Sequence, residues 1–134
     1  MLEHSDVAAR LPAQDLKRAK AFYADKLGLT PSEARPDGLR YRSGNGWFSL
    51  FESSGRPLEP TLSWRGRSTT SRQWVTELRG RGVVFEEYDL PGLKTVDGIA
   101  EVVGNYPSRG GVGERAVWFR DSEGNLLGIG QPKR

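Results

Sequence analysis

The residues able to do chemistry in this chain are few, and their scarcity is informative. There is no cysteine, which removes thiolate nucleophiles, thiolate metal sites and disulfides together. The single histidine, His4, precedes the first predicted strand, so a Ser-His-Asp set has no core histidine to draw on. Gly110-Gly111-Val112-Gly113 is followed by neither Gly-Lys-Ser/Thr nor a helix, so it is no phosphate loop. Glu52 ends a predicted strand and is the one candidate general base, provided it faces a pocket. Tyr41, Trp47, Trp64 and Trp118 all fall on predicted strands. Aromatic walls with a few polar groups are how small-molecule pockets are built. Arg10, Arg40 and Arg42 also lie on predicted strands, Arg109 and Arg115 lie in or beside a glycine-rich insertion, and Tyr106 is in it. A guanidinium offers a planar fork to carboxylate, phosphate or phenolate and also stacks on rings. These residues suit a flat, neutral-to-anionic aromatic ligand.

Elements able to position them follow from periodicity. Residues 7–13 read as a strand. Asp15 stands at a helix N-cap, and apolar side chains recur at Leu16, Ala19, Phe22, Tyr23 and Leu27 before Gly28 stops the helix. Three extended segments come next, residues 29–34, 39–43 and 47–52, separated by Pro36-Asp37-Gly38 and Gly44-Asn45-Gly46. Residues 54–60 form a linker. The order then restarts with a strand at 61–65. A helix capped by Ser68 or Thr69 carries Trp74, Val75 and Leu78 and ends at Gly80 or Gly82. Strands at 83–88, 115–120 and 126–131 complete the second pass, with 121–125 as the last hairpin. One supersecondary unit is therefore used twice, at a spacing of about fifty residues. The two modules, residues 7–53 and 61–131, make one domain over the 134 residues. The second module alone carries the insertion 89–114, in which residues 99–103 could pair as an extra strand. An insertion of this length is a candidate lid.

Charge and composition bound the rest. Twenty basic residues against seventeen acidic ones leave a net charge of +3. The arginine clusters, Arg65, Arg67 and Arg72 and then Arg79 and Arg81, are interspersed with acids, which speaks against nucleic-acid binding. No apolar run approaches membrane-spanning length, and the first residues lack the basic start of a signal peptide. A cytoplasmic protein is expected.

Two stretches carry a family resemblance. Leu11-Pro12-Ala13-Gln14-Asp15-Leu16, with Phe22-Tyr23 and Leu27-Gly28-Leu29, resembles the opening of vicinal-oxygen-chelate proteins, the glyoxalase, bleomycin-resistance and extradiol-dioxygenase group. The run from Trp118 to Leu127 resembles their closing F-x-D-P-x-G-N hairpin, with Ser122 in place of proline. The resemblance implies an α+β fold. Two βαβββ modules with curled, mostly antiparallel sheets form a cup, with helices outside. It also implies a homodimer. Metal-dependent members hold a divalent ion with His, Glu or Gln from the first and last strands of each module. Here those positions offer Ala8, Thr61 or Ser63, and Gly128, leaving Glu52 as the only strong donor. One carboxylate does not hold a transition metal against water. The expectation is a protein that binds a small molecule with no metal and no cofactor. The alternatives are a lyase, isomerase or dioxygenase-type enzyme of the same superfamily, and a regulatory interaction module with no small ligand.

Overall fold

The computed structural model describes residues 2–4, 8–54, 61–65, 71–103 and 113–133. It divides into two compact units, Met1–Pro60 with Asp121–Asn125, and Thr61–Arg120 with Leu126–Arg134.

The first unit runs β1 (Ala9–Ala13), α1 (Leu16–Leu27), β2 (Glu33–Arg35), β3 (Gly38–Ser43) and β4 (Gly46–Glu52). Its sheet has the order β1-β4-β3-β2, with β1 parallel to β4 and the other pairs antiparallel. Helix α1 begins where the sequence says it should. The Asp15 carboxylate accepts from the Arg18 N–H at 3.0 Å, satisfying one of the orphan donors of the first turn. Gly28 closes the helix at φ 67°, a left-handed conformation that a side chain disfavours. The helix lays Ala19 and Tyr23 on one face of the sheet, against Leu11, Ala13, Leu39, Tyr41, Phe48 and Leu50. Tyr41 and Phe48 stack with centroids 4.9 Å apart, and Tyr23 lies 5.4 Å and 5.7 Å from them.

The hairpin Asp121–Asn125 completes this unit through polar contacts. Tyr23 donates its hydroxyl proton to Asp121 at 2.8 Å. The Asn125 amide donates to the Pro12 carbonyl at 3.0 Å and to Asp121 at 2.8 Å. Glu123, with its side chain wholly covered, accepts from the Asp15 N–H at 2.8 Å and from Arg18 Nε at 2.7 Å. The Asp-Ser-Glu-Gly-Asn motif is thus a plug whose carboxylates find donors at the start of α1 and on Tyr23.

The second unit runs β5 (Thr61–Arg65), α2 (Ser71–Gly80), β6 (Asp89–Leu90), β7 (Leu93–Val96), β8 (Ile99–Val103), β9 (Gly113–Arg120) and β10 (Leu126–Lys133). The sheet order is β5-β10-β9-β8-β7-β6, with β5 parallel to β10. Val75 and Leu78 of α2, with Val83 and Phe85, share the core with Val117, Phe119, Leu127 and Ile129. The strand expected at 83–88 is reduced to one bridge, Phe85 to Phe119, and the Glu86 N–H donating to the Trp118 carbonyl. The reason is competition for one edge: β8 pairs with β9 from Gly113 to Ala116 and leaves only its far end free. The extra strand foreseen at 99–103 does form, and β6 and β7 extend the sheet beyond it. Likewise β2 starts at Glu33 rather than directly after the helix. The helix cap at Ser68 or Thr69 and the lid residues Tyr106 and Arg109 lie outside the described residues. Each unit thus combines one helix with one mostly antiparallel sheet, and neither sheet closes. Among the described residues no helix is long and apolar enough to cross a membrane.

Candidate functional site

Strand alternation gives the first sheet two unlike faces. One is the core under α1. On the other, cross-strand register lines up Arg10, Ser49, Arg40 and Glu33 in a row across all four strands. The neighbouring row is Pro12, Phe51, Gly38 and Arg35, and on the other side Trp47 pairs with Arg42. Ser49 is the short side chain at the centre, with Trp47 and Phe51 two residues away along β4 on the same face. Ser49 and Gly38 floor a hollow of about 290 Å³ between Phe51, Arg10 and Arg40. A Cβ at Gly38 would come within 3.3 Å of the Leu50 carbonyl oxygen, so the floor cannot rise there without a shift.

The arginines are held over the rings. Arg10 lies 4.9 Å above the Phe51 centroid, Arg40 lies 4.2 Å and Arg42 5.5 Å from that of Trp47. Within about 6 Å, a guanidinium is attracted by the negative face of a ring. All three arginines are exposed, as is Trp47 at 37%. Arg42 also donates from Nε to the Gly44 carbonyl at 3.2 Å. Glu33, on the same face, is taken up by Arg35 in an ion pair of 2.6 Å, which raises the Arg35 pKa through hydrogen bonding and charge. The face therefore offers planar cations pre-stacked on aromatics around a small-residue floor.

The structure brings together some of the residues singled out by sequence and separates others. Arg10, Trp47, Arg40 and Arg42 share this face. Tyr41 does not: it is fully buried under α1, and burial pushes its phenol up to about 12. Glu52 has the strand parity of Phe48 and Leu50 and is exposed at the end of β4, away from the rings. Trp64 lies on β5, but its side chain is outside the described residues, as is Arg109. In the second unit, Trp118 lies on the face opposite Val117 and Phe119, half-buried, with Tyr88 edge-on at 5.7 Å. Arg115 lies on the other face, where it meets Glu101 at 3.3 Å. Phe51, Ser49 and Gly38 were not singled out by sequence. The alternation Trp47-x-Ser49-x-Phe51 was the available signal.

The sequence matches no protein-family model and no curated protein. Solved structures do match. A virulence protein of Salmonella typhimurium aligns over 98% of this chain and 99% of its own, at TM-score 0.70 and 19% identity. A glyoxalase/bleomycin resistance protein/dioxygenase from Alicyclobacillus acidocaldarius aligns over 98% and 95%, at TM-score 0.66 and 18% identity. A lactoylglutathione lyase from Agrobacterium tumefaciens aligns over 96% and 93%, at TM-score 0.66 and 18% identity. The chain has the vicinal-oxygen-chelate fold.

That fold supports a metal centre in some of its members, so the donor set matters here. At the expected positions Ala8 and Gly128 carry no donor atom, and position 63 carries only a hydroxyl. On β4 the residues facing away from α1 are Trp47, Ser49 and Phe51. Among the described residues no three His, Asp or Glu side chains gather into a possible metal cluster. The described residues do not fit a divalent-metal centre of the vicinal-oxygen-chelate kind.

Proposed function

We propose that the arginine-and-ring face of the first sheet binds a small, flat, neutral-to-anionic aromatic molecule, and does so without a metal. The observation that carries this reading is the placement of Arg10 over Phe51 and of Arg40 over Trp47 around the Ser49–Gly38 hollow. A guanidinium stacked on a ring keeps its in-plane N–H groups free to grip a carboxylate or phenolate. A half-exposed indole adds a surface on which a second ring can stack. The hollow is lined by Arg10, Arg35 and Arg40 against Glu33 and Asp37, so a cation would meet a net positive lining there. An enzymatic reading needs an acid or base on this face. Glu52 lies on the opposite one, Glu33 is committed to Arg35, and Asp37, which also lines the hollow, interacts with the Arg35 charge. We also propose that the protein is cytoplasmic and, by the family resemblance, a homodimer; sedimentation at micromolar concentration would show the dimer, and a monomer there would contradict it.

The test is a tryptophan-fluorescence titration with matched aromatic anions and cations, such as naphthoate and naphthylmethylammonium, at moderate salt so that long-range steering is screened. The anion should bind about tenfold more tightly or better, a difference of about 1.4 kcal/mol. Arg40→Met should remove most of that preference. Equal or tighter binding of the cation refutes the reading.

A further inference from the structure

We infer that a second, separate groove in the second unit docks an acidic amphipathic helical segment of a protein partner. Six strands are more than one short helix can cover. Helix α2 has ten residues, and the β6–β7 hairpin extends past its side. The result is an open groove of about 800 Å³ with α2 as one bank and the hairpin as the other. Its apolar surface is contributed by Val75, Leu93, Val96 and Ile99. Val96 is 67% exposed, an unusual state for valine on a strand, and Leu90, opposite Leu93 in the same groove, is 57% exposed.

The charges around this floor select the partner. Four cations line the groove, Arg72, Arg79, Lys94 and Arg115, against two acids. Of those acids Glu101 is already shared by Arg115 and Lys133, both at 3.3 Å, and those contacts hold its carboxyl below the usual range. Arg79 is fixed in place, donating to the Asp97 carbonyl at 2.8 Å and lying 5.6 Å from the Phe85 ring. Arg72 and Lys94 have no ion-pair partner among the described residues. Arg72 and Arg79 stand seven residues apart on α2, about 10 Å along its axis. Lys94 and Arg115 come from the strands, away from that bank. A single anionic headgroup would use one of these cations. An apolar floor with cations spread over two turns of helix and from both sides matches a longer ligand: an amphipathic helix with an apolar stripe and acids on its flanks. This groove shares no residue with the arginine-and-ring face, so the two readings stand or fall separately.

The experiment is fluorescence anisotropy on the full chain with a labelled synthetic helix of about three to four turns, carrying a leucine stripe flanked by glutamates. A second peptide replaces every glutamate with lysine. The acidic peptide should bind saturably in the micromolar range and at least about tenfold more tightly than the basic one. Val96→Asp and Lys94→Glu change exposed side chains, so the fold should be kept, which circular dichroism checks. Each should weaken the acidic peptide about tenfold or more, and Lys94→Glu should also flatten its salt dependence. Trp47→Ala, on the first unit, should leave peptide binding unchanged. The inference fails if the acidic peptide does not saturate, if the basic peptide binds as well, or if both groove variants bind like the wild type. It also fails if decanoate fills the groove at micromolar concentration while the peptide does not, since the site would then belong to a lipid-like anion.

Discussion

Replacing Glu123 by glutamine tests whether the terminal hairpin is a structural plug of the first unit. The Glu123 carboxylate accepts four hydrogen bonds: from the Asp15 N–H at 2.8 Å, Arg18 Nε at 2.7 Å, Arg18 Nη2 at 3.0 Å and Ser122 Oγ at 2.9 Å. Its own side chain is wholly covered, while that of Arg18 is 52% exposed. The ion pair itself is therefore screened by solvent. What remains is a buried acceptor that loses its charge and turns one oxygen into an N–H donor facing other donors. Weakening the backbone bond and opposing an amide to Arg18 Nε should cost about 2 kcal/mol. For a chain of this size that lowers Tm by roughly 6–10 °C. The pH dependence is the sharper test. Burial pushes the Glu123 carboxyl up, but the bonds from Arg18, the Asp15 N–H and Ser122 outweigh it, and the net shift is downward from 4.5. A depressed carboxyl lends stability that is whole above the unfolded value and is lost as pH falls through the folded one. The gap between wild type and Glu123→Gln should therefore be full at neutral pH and narrow below pH 4.5. Chemical denaturation across that range gives both numbers. A gap under about 0.5 kcal/mol at neutral pH, or one that stays constant into acid, would refute the reasoning.

Three further outcomes are expected. Gly113→Ala would put a Cβ 2.7 Å from the Val102 carbonyl oxygen, a backbone atom that cannot swing aside. The β8–β9 pairing should yield, at a cost of about 1–3 kcal/mol in denaturant melts, and a neutral effect would show that the strands do not approach this closely. In alkaline titration, burial and the neighbouring Asp121 carboxylate push the Tyr23 phenol far up, and burial pushes that of Tyr41 to about 12. Both raised groups favour the fold below the unfolded value of 10 and withdraw that support above it. Ultraviolet difference spectra should then show these two tyrosines ionising only together with loss of circular dichroism, and earlier ionisation would mean an open core. Elemental analysis of purified protein should find far less than one equivalent of Zn, Ni, Fe or Mn per chain. A full equivalent would overturn the metal-free reading.

What the sequence by itself determined is local. An N-capping aspartate, a 3.6-residue apolar stripe and a terminal glycine define α1 without help from the rest of the chain, because caps and stripe act within one helix. Gly44-Asn45-Gly46 and the Asp-Ser-Glu-Gly-Asn hairpin were legible for the same reason, and so was the repeated strand–helix–strand order. What needed the tertiary structure was the choice of face and of partner. Strand alternation has only two settings, and both faces of the first sheet carry large aromatics. Only the seat of α1 decides that Tyr41 and Phe48 are core while Trp47 and Phe51 remain outside, and it turns Glu52 away from them with the same stroke. Pairing is likewise non-local: residues 83–88 have strand composition, but β8 reaches the edge of β9 first and leaves Phe85 a single bridge. In the sequence, residues 121–125 read only as the last hairpin, and the burial of its carboxylates is not legible there. They are buried because the start of α1 and Tyr23, about a hundred residues earlier in the chain, supply the donors they need.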